Sequence, residues 1–188
     1  MNPVNEITLE NESEVWSQIS RDLAVNTFTY NTILLKDNIS TLLTIDIDPG
    51  SGFAGGYAFT NFSAPITGLA GFKFALHHQD FLDEIGKFFG MQDVIIGYPD
   101  FDEKVIVKTN NEAAVKTLLS NDAVRLPWQT LHNFNLHTSG SVEDEGGVHL
   151  KLEIEEAISD VEQLQVFFNA FHLVAAHLNG QAVVSKID

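Results

Sequence analysis

The sequence predicts a single α+β domain, residues 1–188, in which a twisted antiparallel sheet carries helices on one face. Three observations support this fold class. Strand patterns follow one another without regular alternation with helices, one late strand alternates apolar and polar residues, and a long amphipathic helix lies near the C-terminus. A chain of 188 residues with 44% hydrophobic and 19% charged residues is also typical of one globular domain.

The first predicted element is a helix close to the N-terminus. Asn11 and Glu14 have the spacing of a capping box, in which each side chain satisfies a free backbone N–H at the helix start. Apolar residues then recur at steps of three and four, which predicts an amphipathic helix. These residues are Val15, Trp16, Ile19 and Leu23.

Strands are predicted from runs of β-branched and aromatic residues between turn signals. Residues 28–36 and 39–48 are separated by Asp37 and Asn38, which favour a two-residue hairpin turn. In residues 148–156 apolar and polar side chains alternate, so one face of that strand is expected to meet the core. The remaining predicted strands are 56–66, 72–78, 94–98, 104–109 and 133–138.

Three further helices are predicted. One covers residues 80–89, and another begins after Thr109, which is the predicted cap and is followed by Glu112 three residues later. The longest covers residues 159–179, with Ser159 as the predicted cap and Gly180 as the stop signal. Its apolar face is broad, so this helix is expected to pack across the sheet. His172 lies on the polar stripe of the helix and is predicted to be a surface residue.

Composition excludes several classes of site and partner. The sequence has no cysteine, which excludes disulfides, thiolate metal sites and cysteine nucleophiles. It has 26 acidic and 10 basic residues, hence a formal net charge of −16, and the bases are dispersed along the chain. Such a chain repels nucleic acid and anionic membrane surfaces. The acidic surface favours either solubility alone or a protein partner that carries basic residues.

The sequence also favours a cytoplasmic protein without membrane contact. No stretch approaches the roughly 20 apolar residues of a membrane-spanning helix. The first 16 residues lack the basic and apolar regions of a signal peptide.

A glycine-rich motif between two predicted strands has the spacing of a dinucleotide-binding loop. It consists of Gly50, Gly52 and Gly55 in the pattern Gly-x-Gly-x-x-Gly. In such loops the third glycine opens a helix that receives the pyrophosphate, whereas Tyr57 and the residues after it have a strand pattern. The other residues of a kinase-type or Walker site are absent from the sequence. The motif is therefore interpreted as a structural connection, and no cofactor is predicted.

Two pairs of side chains are candidate metal ligands. Asp46 and Asp48 point to the same side of a predicted strand, and paired carboxylates can hold a divalent cation. His137 and His149 lie on two strands that a hairpin would pair, so a symmetric register would place the imidazoles opposite one another. A third ligand would then come from the intervening loop, at Glu143, Asp144 or Glu145. In both cases the alternative is a solvated polar face.

A set of phenylalanines is the candidate lining of an apolar ligand cavity. A curved sheet under a Phe-rich helix can leave such a cavity, although the same side chains can simply fill the core. The set is Phe88, Phe167, Phe168 and Phe171, with Phe53 of the glycine-rich segment as a further candidate at a mobile loop.

Residues 99–125 resemble a pattern found in bacterial proteins of unknown function. The pattern runs from Pro99, Phe101 and Asp102 into a strand, and then through a short helix that ends at Ser120, to Arg125. The resemblance implies a bacterial origin and an α+β domain, and it implies no activity. Residues 97–102, which overlap the start of this pattern, are the best candidate for an internal seam.

Three functions are compatible with the sequence. The favoured one is a non-enzymatic, acidic binding or regulatory module that engages a protein partner. The second is a carrier of a small apolar ligand, held between the sheet and the C-terminal helix. The third is a metal-dependent enzyme that uses Asp46, Asp48 or the histidines. No motif for nucleophilic catalysis is present, so an enzyme is the less favoured class.

Overall fold

The computed structural model describes residues 5–25, 28–50, 55–67, 71–78, 90–140 and 147–180. Nine strands within these residues form one sheet. Their bounds are β1 Asn5–Thr8, β2 Thr29–Lys36, β3 Ile39–Asp48, β4 Tyr57–Ile66, β5 Phe74–His78, β6 Gln92–Asp93, β7 Val105–Thr109, β8 Phe134–Ser139 and β9 Val148–Ile154.

The strand order in the sheet is β1-β2-β3-β4-β9-β8-β5-β7-β6. Every neighbouring pair is antiparallel except β1 and β2, which are parallel. The parallel pair follows from the chain path, because a helix between these two strands carries the chain back before it pairs again. The predicted α+β class with a long C-terminal helix is confirmed, and the predicted antiparallel sheet holds for all pairs but this one.

Five helices lie in the described residues: α1 Glu12–Val25, α2 Pro99–Asp102, α3 Glu112–Leu119, α4 Asp122–Arg125 and α5 Val161–Leu178. A 3₁₀ turn, Leu126–Thr130, follows α4. No helix in this part of the chain is both long and apolar enough to cross a bilayer. The predicted helix at 80–89 lies outside the described residues.

Two helix caps differ from the predicted residues. Asp160, rather than Ser159, caps α5, and its carboxylate accepts two backbone N–H groups of the first turn at 2.8 and 3.2 Å. Asn111, rather than Thr109, caps α3, because the Thr109 hydroxyl donates to the carbonyl of Lys73 instead. At α5, the Asp160 carboxylate also interacts better than the Ser159 hydroxyl would with the positive end of the helix dipole.

The predicted strand at 94–98 is wrong. The N–H of Val94 donates to the carbonyl of Val107 in β7 at 2.9 Å, but the backbone beyond it is irregular, and its next hydrogen bonds go to a side chain rather than to a strand. The Asp102 carboxylate accepts the N–H of Ile96 at 2.9 Å and that of Gly97 at 2.8 Å. Tyr98 lies against the Arg125 guanidinium, whose central carbon is 3.5 Å from the ring centroid. These contacts fix a loop that enters α2.

Helix α5 covers the face of the sheet that we call the inner face. The rings of Phe168 and Trp16 of α1 meet edge-on at 5.5 Å between centroids, and Phe171 lies 5.6 Å from Phe62 of β4. Phe167 lies 6.4 Å from Trp128 in the 3₁₀ turn. Aromatic rings within a mainly aliphatic core therefore join α5 to both of its flanking segments and to the sheet.

The hairpin between β2 and β3 has the predicted two-residue turn. Lys36 pairs with Ile39, and the two residues between them have positive φ angles, 50° at Asp37 and 61° at Asn38. Positive φ at both central positions is the geometry of a type I′ turn, which matches the twist of the strands it joins. Asp37 and Asn38 tolerate this conformation better than most residues do.

We expect Asn38→Ala to lower the free energy of unfolding by about 1 kcal/mol, because alanine pays the steric cost of positive φ. Asn38→Gly is the matched control and should be as stable as the wild type or slightly more so. Urea unfolding followed by circular dichroism measures both values. Equal stability of the two variants would contradict the turn geometry.

Candidate functional site: an apolar cleft at one end of the sheet

An apolar cleft of about 220 Å³ opens where β2 begins and β3 ends. Its walls come from four separate segments: the end of α1, the start of β2, the end of β3, and the connection from β9 to α5. The lining residues are Leu23, Phe28, Thr29, Tyr30, Ile45, Ile47, Ala157 and Ser159. Most of this lining is hydrocarbon, which favours an apolar occupant.

Large apolar side chains are exposed at the mouth of the cleft. Phe28 is 57% exposed, and Val25, the last residue of α1, is 80% exposed. Single exposed apolar residues are common, but Phe28 is part of the concave lining, and Val25 follows the lining residue Leu23 by two positions in the chain. Together they extend the apolar area from the cleft onto the protein surface.

Tyr30 and Ile45 form the deep part of the lining. Both are buried, and they pair with each other across β2 and β3. Burial, together with the negative charge of Asp22, raises the pKa of the Tyr30 phenol to about 12. The phenol therefore stays neutral at physiological pH, and this wall of the cleft carries no charge.

Thr60 of β4 holds the fourth wall of the cleft, the connection from β9 to α5, in place. Its side chain is fully buried on the inner face, where Thr60 pairs with Ile45. The hydroxyl donates to the carbonyl oxygen of Glu156 and accepts the N–H of Ile158, both at 2.9 Å. Ala157 lies between these two attachment points and lines the cleft. One hydroxyl thus sets the position of the connection between β9 and α5.

Acidic residues surround the cleft. Asp22 precedes Leu23 on α1, and Glu155, Glu156 and Asp160 are exposed on the connection between β9 and α5. On the other side, Thr29 donates to the Asp46 carboxylate at 3.0 Å. Arg21 on α1 is a basic residue near the cleft. Its guanidinium is exposed and donates to the Gln18 side chain, one turn earlier in the helix, at 2.8 Å. The potential at the mouth is therefore negative.

Asp46 and Asp48 lie where the sequence predicts, on one face of β3 and away from the core. Asp46 pairs with Phe59, and Asp48 pairs with Tyr57. Asp48 accepts the N–H of Gly50 at 2.8 Å. The charge of Asp46, and to a lesser extent that of Asp48, raises the pKa of Tyr57 above its ordinary 10.0. No group of three metal-ligating side chains occurs in the described residues, so metal binding by this pair stays a prediction.

The prediction that His137 and His149 face each other is wrong. In the hairpin of β8 and β9, His137 pairs with Lys151 and His149 pairs with Ser139. The two imidazoles therefore share a face as diagonal neighbours, and Nδ1 of His137 lies 3.9 Å from a carboxylate oxygen of Glu153. Burial and the charge of Lys151 lower the pKa of His149. The predicted third ligands, Glu143, Asp144 and Glu145, lie outside the described residues.

The predicted ligand-binding phenylalanines of α5 are packed into the core. Phe167, Phe168 and Phe171 are at most 1% exposed and meet the rings described above. Ligand binding by these side chains stays a prediction, and it would require them to leave those contacts. Phe53 and Phe88 lie outside the described residues.

The glycine-rich segment joins the antiparallel strands β3 and β4, as expected for a structural connection. β4 begins at Tyr57, so a strand and not a helix follows the motif. At Gly56 a Cβ atom would lie 2.5 Å from the carbonyl oxygen of Asp48 and 2.9 Å from the carbonyl carbon of Pro49. This close approach of two backbone segments explains a glycine at that position. Gly52 and Phe53 lie outside the described residues.

No sequence pattern marks any of the cleft residues as a site residue. A partial signal exists in residues 23–28, where Leu23, Val25 and Phe28 are apolar at the junction of a helix and a strand. His172 is a second difference. The polar stripe of its helix predicts a surface residue, but it is 3% exposed and its Nε2 lies 2.9 Å from the Asp37 carboxylate.

No protein-family model matches the chain, and no curated protein is similar to it. The crystal structure of the mycobacterial trehalose monomycolate transport factor A, TtfA, is similar to this chain. The two chains are 7% identical, with a TM-score of 0.45 over 91% of this chain and 98% of that one. A likeness at this level carries no inference about the function of this chain.

Removal of the Thr60 hydroxyl should loosen the fourth wall of the cleft. Thr60→Val keeps the shape of the side chain but leaves the buried N–H of Ile158 without its partner, so we expect a loss of about 1–3 kcal/mol in the free energy of unfolding. Thr60→Ser retains the hydroxyl and serves as the control. Amide hydrogen exchange should show faster exchange at Ile158 in the valine variant only. Unchanged exchange there would contradict the role of Thr60.

Proposed function

We propose that this protein is a non-enzymatic binding module that takes an apolar group, about the size of one aromatic ring, into the cleft. The observation that carries the proposal is the lining itself, which is concave, mostly hydrocarbon and continuous with exposed apolar side chains. The polar groups in the lining are two hydroxyls, of Thr29 and Ser159, and the neutral phenol of Tyr30. These groups supply no strong acid, base or metal ligand.

The volume of the cleft limits the size of the occupant. An apolar cavity of roughly 150 Å³ is enough to hold benzene, whereas sites for drug-sized molecules have roughly 300–1,000 Å³. At about 220 Å³ the cleft suits one ring or one branched aliphatic group. Both a free small molecule and a side chain of a partner protein present such a group.

Indole is a suitable probe of this function. We expect indole to shift the amide resonances of Leu23, Phe28 and Ala157 in a two-dimensional ¹⁵N–¹H NMR titration, with a Kd on the order of 1 mM for so small a ligand. Ala157→Leu places three more carbons in the cleft and should weaken binding by about tenfold or more. Ala113→Leu makes the same change at an exposed position of α3 and should leave binding unchanged.

Two results would refute the proposal. One is an absence of indole-dependent shifts at the cleft residues in a wild type whose spectrum shows a folded protein. The other is equal indole affinity in the wild type and in a folded Ala157→Leu variant. Thermal unfolding of both variants confirms that each is folded before the titrations are compared.

A further inference from the structure

We infer that the occupant of the cleft is one apolar side chain of a basic segment in a partner protein. This inference rests on the proposed function of the cleft and adds the chemistry of its partner. The apolar side chain enters the cleft, and the neighbouring lysine or arginine side chains meet the acidic residues around its mouth. Charge complementarity and the size of the cleft support this assignment together.

The charge around the cleft has one sign. The three segments 21–30, 45–48 and 155–162 contain seven acidic residues against one basic residue, Arg21. The acidic residues are Asp22, Asp46, Asp48, Glu155, Glu156, Asp160 and Glu162. Asp46 and Asp48 lie on the opposite face of the sheet from the cleft. The Asp46 carboxylate nevertheless accepts the hydrogen bond of Thr29, which lines the cleft. A cationic segment that crosses this end of the sheet meets carboxylates on both sides.

Two acidic residues at the mouth, Glu155 and Glu156, have no cation of the described chain beside them. Elsewhere in the described residues, bases of this chain are paired with acids: Lys36 with Glu12, Lys108 with Asp93, Lys116 with Glu112 and Arg125 with Asp122. Glu155 and Glu156 are exposed and form no ion pair within the part of the chain that the structure describes. Their charge is therefore available to a partner.

An aromatic surface at the same end of the sheet fits the same partner. Tyr57 is 51% exposed and stacks on Phe59, with 5.7 Å between ring centroids and 7° between ring planes. These rings lie opposite Asp48 and Asp46 on the neighbouring strand. The face of an aromatic ring attracts a cation, and adjacent carboxylates strengthen that attraction. Because these rings lie on the opposite face of the sheet from the cleft, a lysine or arginine further along the partner segment can bind here.

The same features disfavour other occupants. The negative potential repels nucleic acid and anionic lipid surfaces. The cleft holds one ring but not a long acyl chain, whereas a protein partner inserts one anchor and places its charges outside. A small cationic aromatic molecule shares this chemistry, so the experiment includes one.

Three heptapeptides and one amine test the inference by isothermal titration calorimetry. The first peptide is Lys-Gly-Lys-Phe-Lys-Gly-Lys. The second has alanine in place of phenylalanine, and the third has serine in place of every lysine. Phenethylamine represents a free cationic ligand. At about 50 mM salt we expect the first peptide to bind at least about tenfold more tightly than the other three probes. At about 500 mM salt the Kd values of the first peptide and the serine peptide should differ by less than about threefold.

Paired variants locate the charge effect. The double variant Glu155→Gln, Glu156→Gln should raise the Kd of the first peptide by about fivefold. It should leave the Kd of indole unchanged, because the cleft lining is intact. Asp100→Asn with Glu103→Gln removes the same net charge next to β7, near the opposite edge of the sheet, and should have little effect. Equal weakening by both pairs would show a general charge effect and overturn the inference.

The possible failures are distinguishable. If the serine peptide or phenethylamine binds as tightly as the first peptide, the inference is wrong and the proposed function stands. If the alanine peptide binds as tightly, cations bind without an anchor in the cleft, which also overturns the inference. If neither the first peptide nor indole binds, both the inference and the proposed function are wrong.

Discussion

The structure depends on the burial of one apolar face of a wide sheet. Nine strands at about 4.8 Å spacing span roughly 38 Å, whereas the 18 residues of α5 span about 27 Å. One helix cannot cover that face, so α1 lies beside α5 on one flank, and α4 with the 3₁₀ turn lies on the other. Phe168 meets Trp16 on one side, and Phe167 meets Trp128 on the other. The cleft lies where this cover ends.

The connection between β9 and α5 links the core to the cleft. Thr60 presents a hydroxyl on a mostly apolar face, and that hydroxyl satisfies a carbonyl and an N–H of the connection. Without it these groups would need water inside the core. The connection therefore keeps one course, which places Ala157 in the lining and leaves Glu155 and Glu156 in solvent. The apolar lining and the acidic mouth have the same structural origin.

The sequence predicts the features that depend on local signals. The hairpin at Asp37 and Asn38 and the alternating strand 148–156 follow from turn chemistry and the two-residue period. The register that separates His137 from His149 depends instead on how three strands pair, which no local pattern specifies. The cleft was not predictable, because its lining joins four segments distant in sequence. The phenylalanines of α5 satisfy a core pattern and a ligand-cavity pattern equally well, and only their partners distinguish the two.

The location of a bound ring tests the account most directly. Isotope-filtered NOE spectra of ¹³C-labelled protein with unlabelled indole report which side chains contact the ligand. A ring bound in the cleft gives NOEs from indole to Leu23, Ile47 and Ala157, and none to the rings of Phe167 or Phe171, which stay in the core. NOEs to Phe167 or Phe171 without NOEs to the cleft residues would place the ligand between sheet and helix, and would contradict the assignment of the cleft.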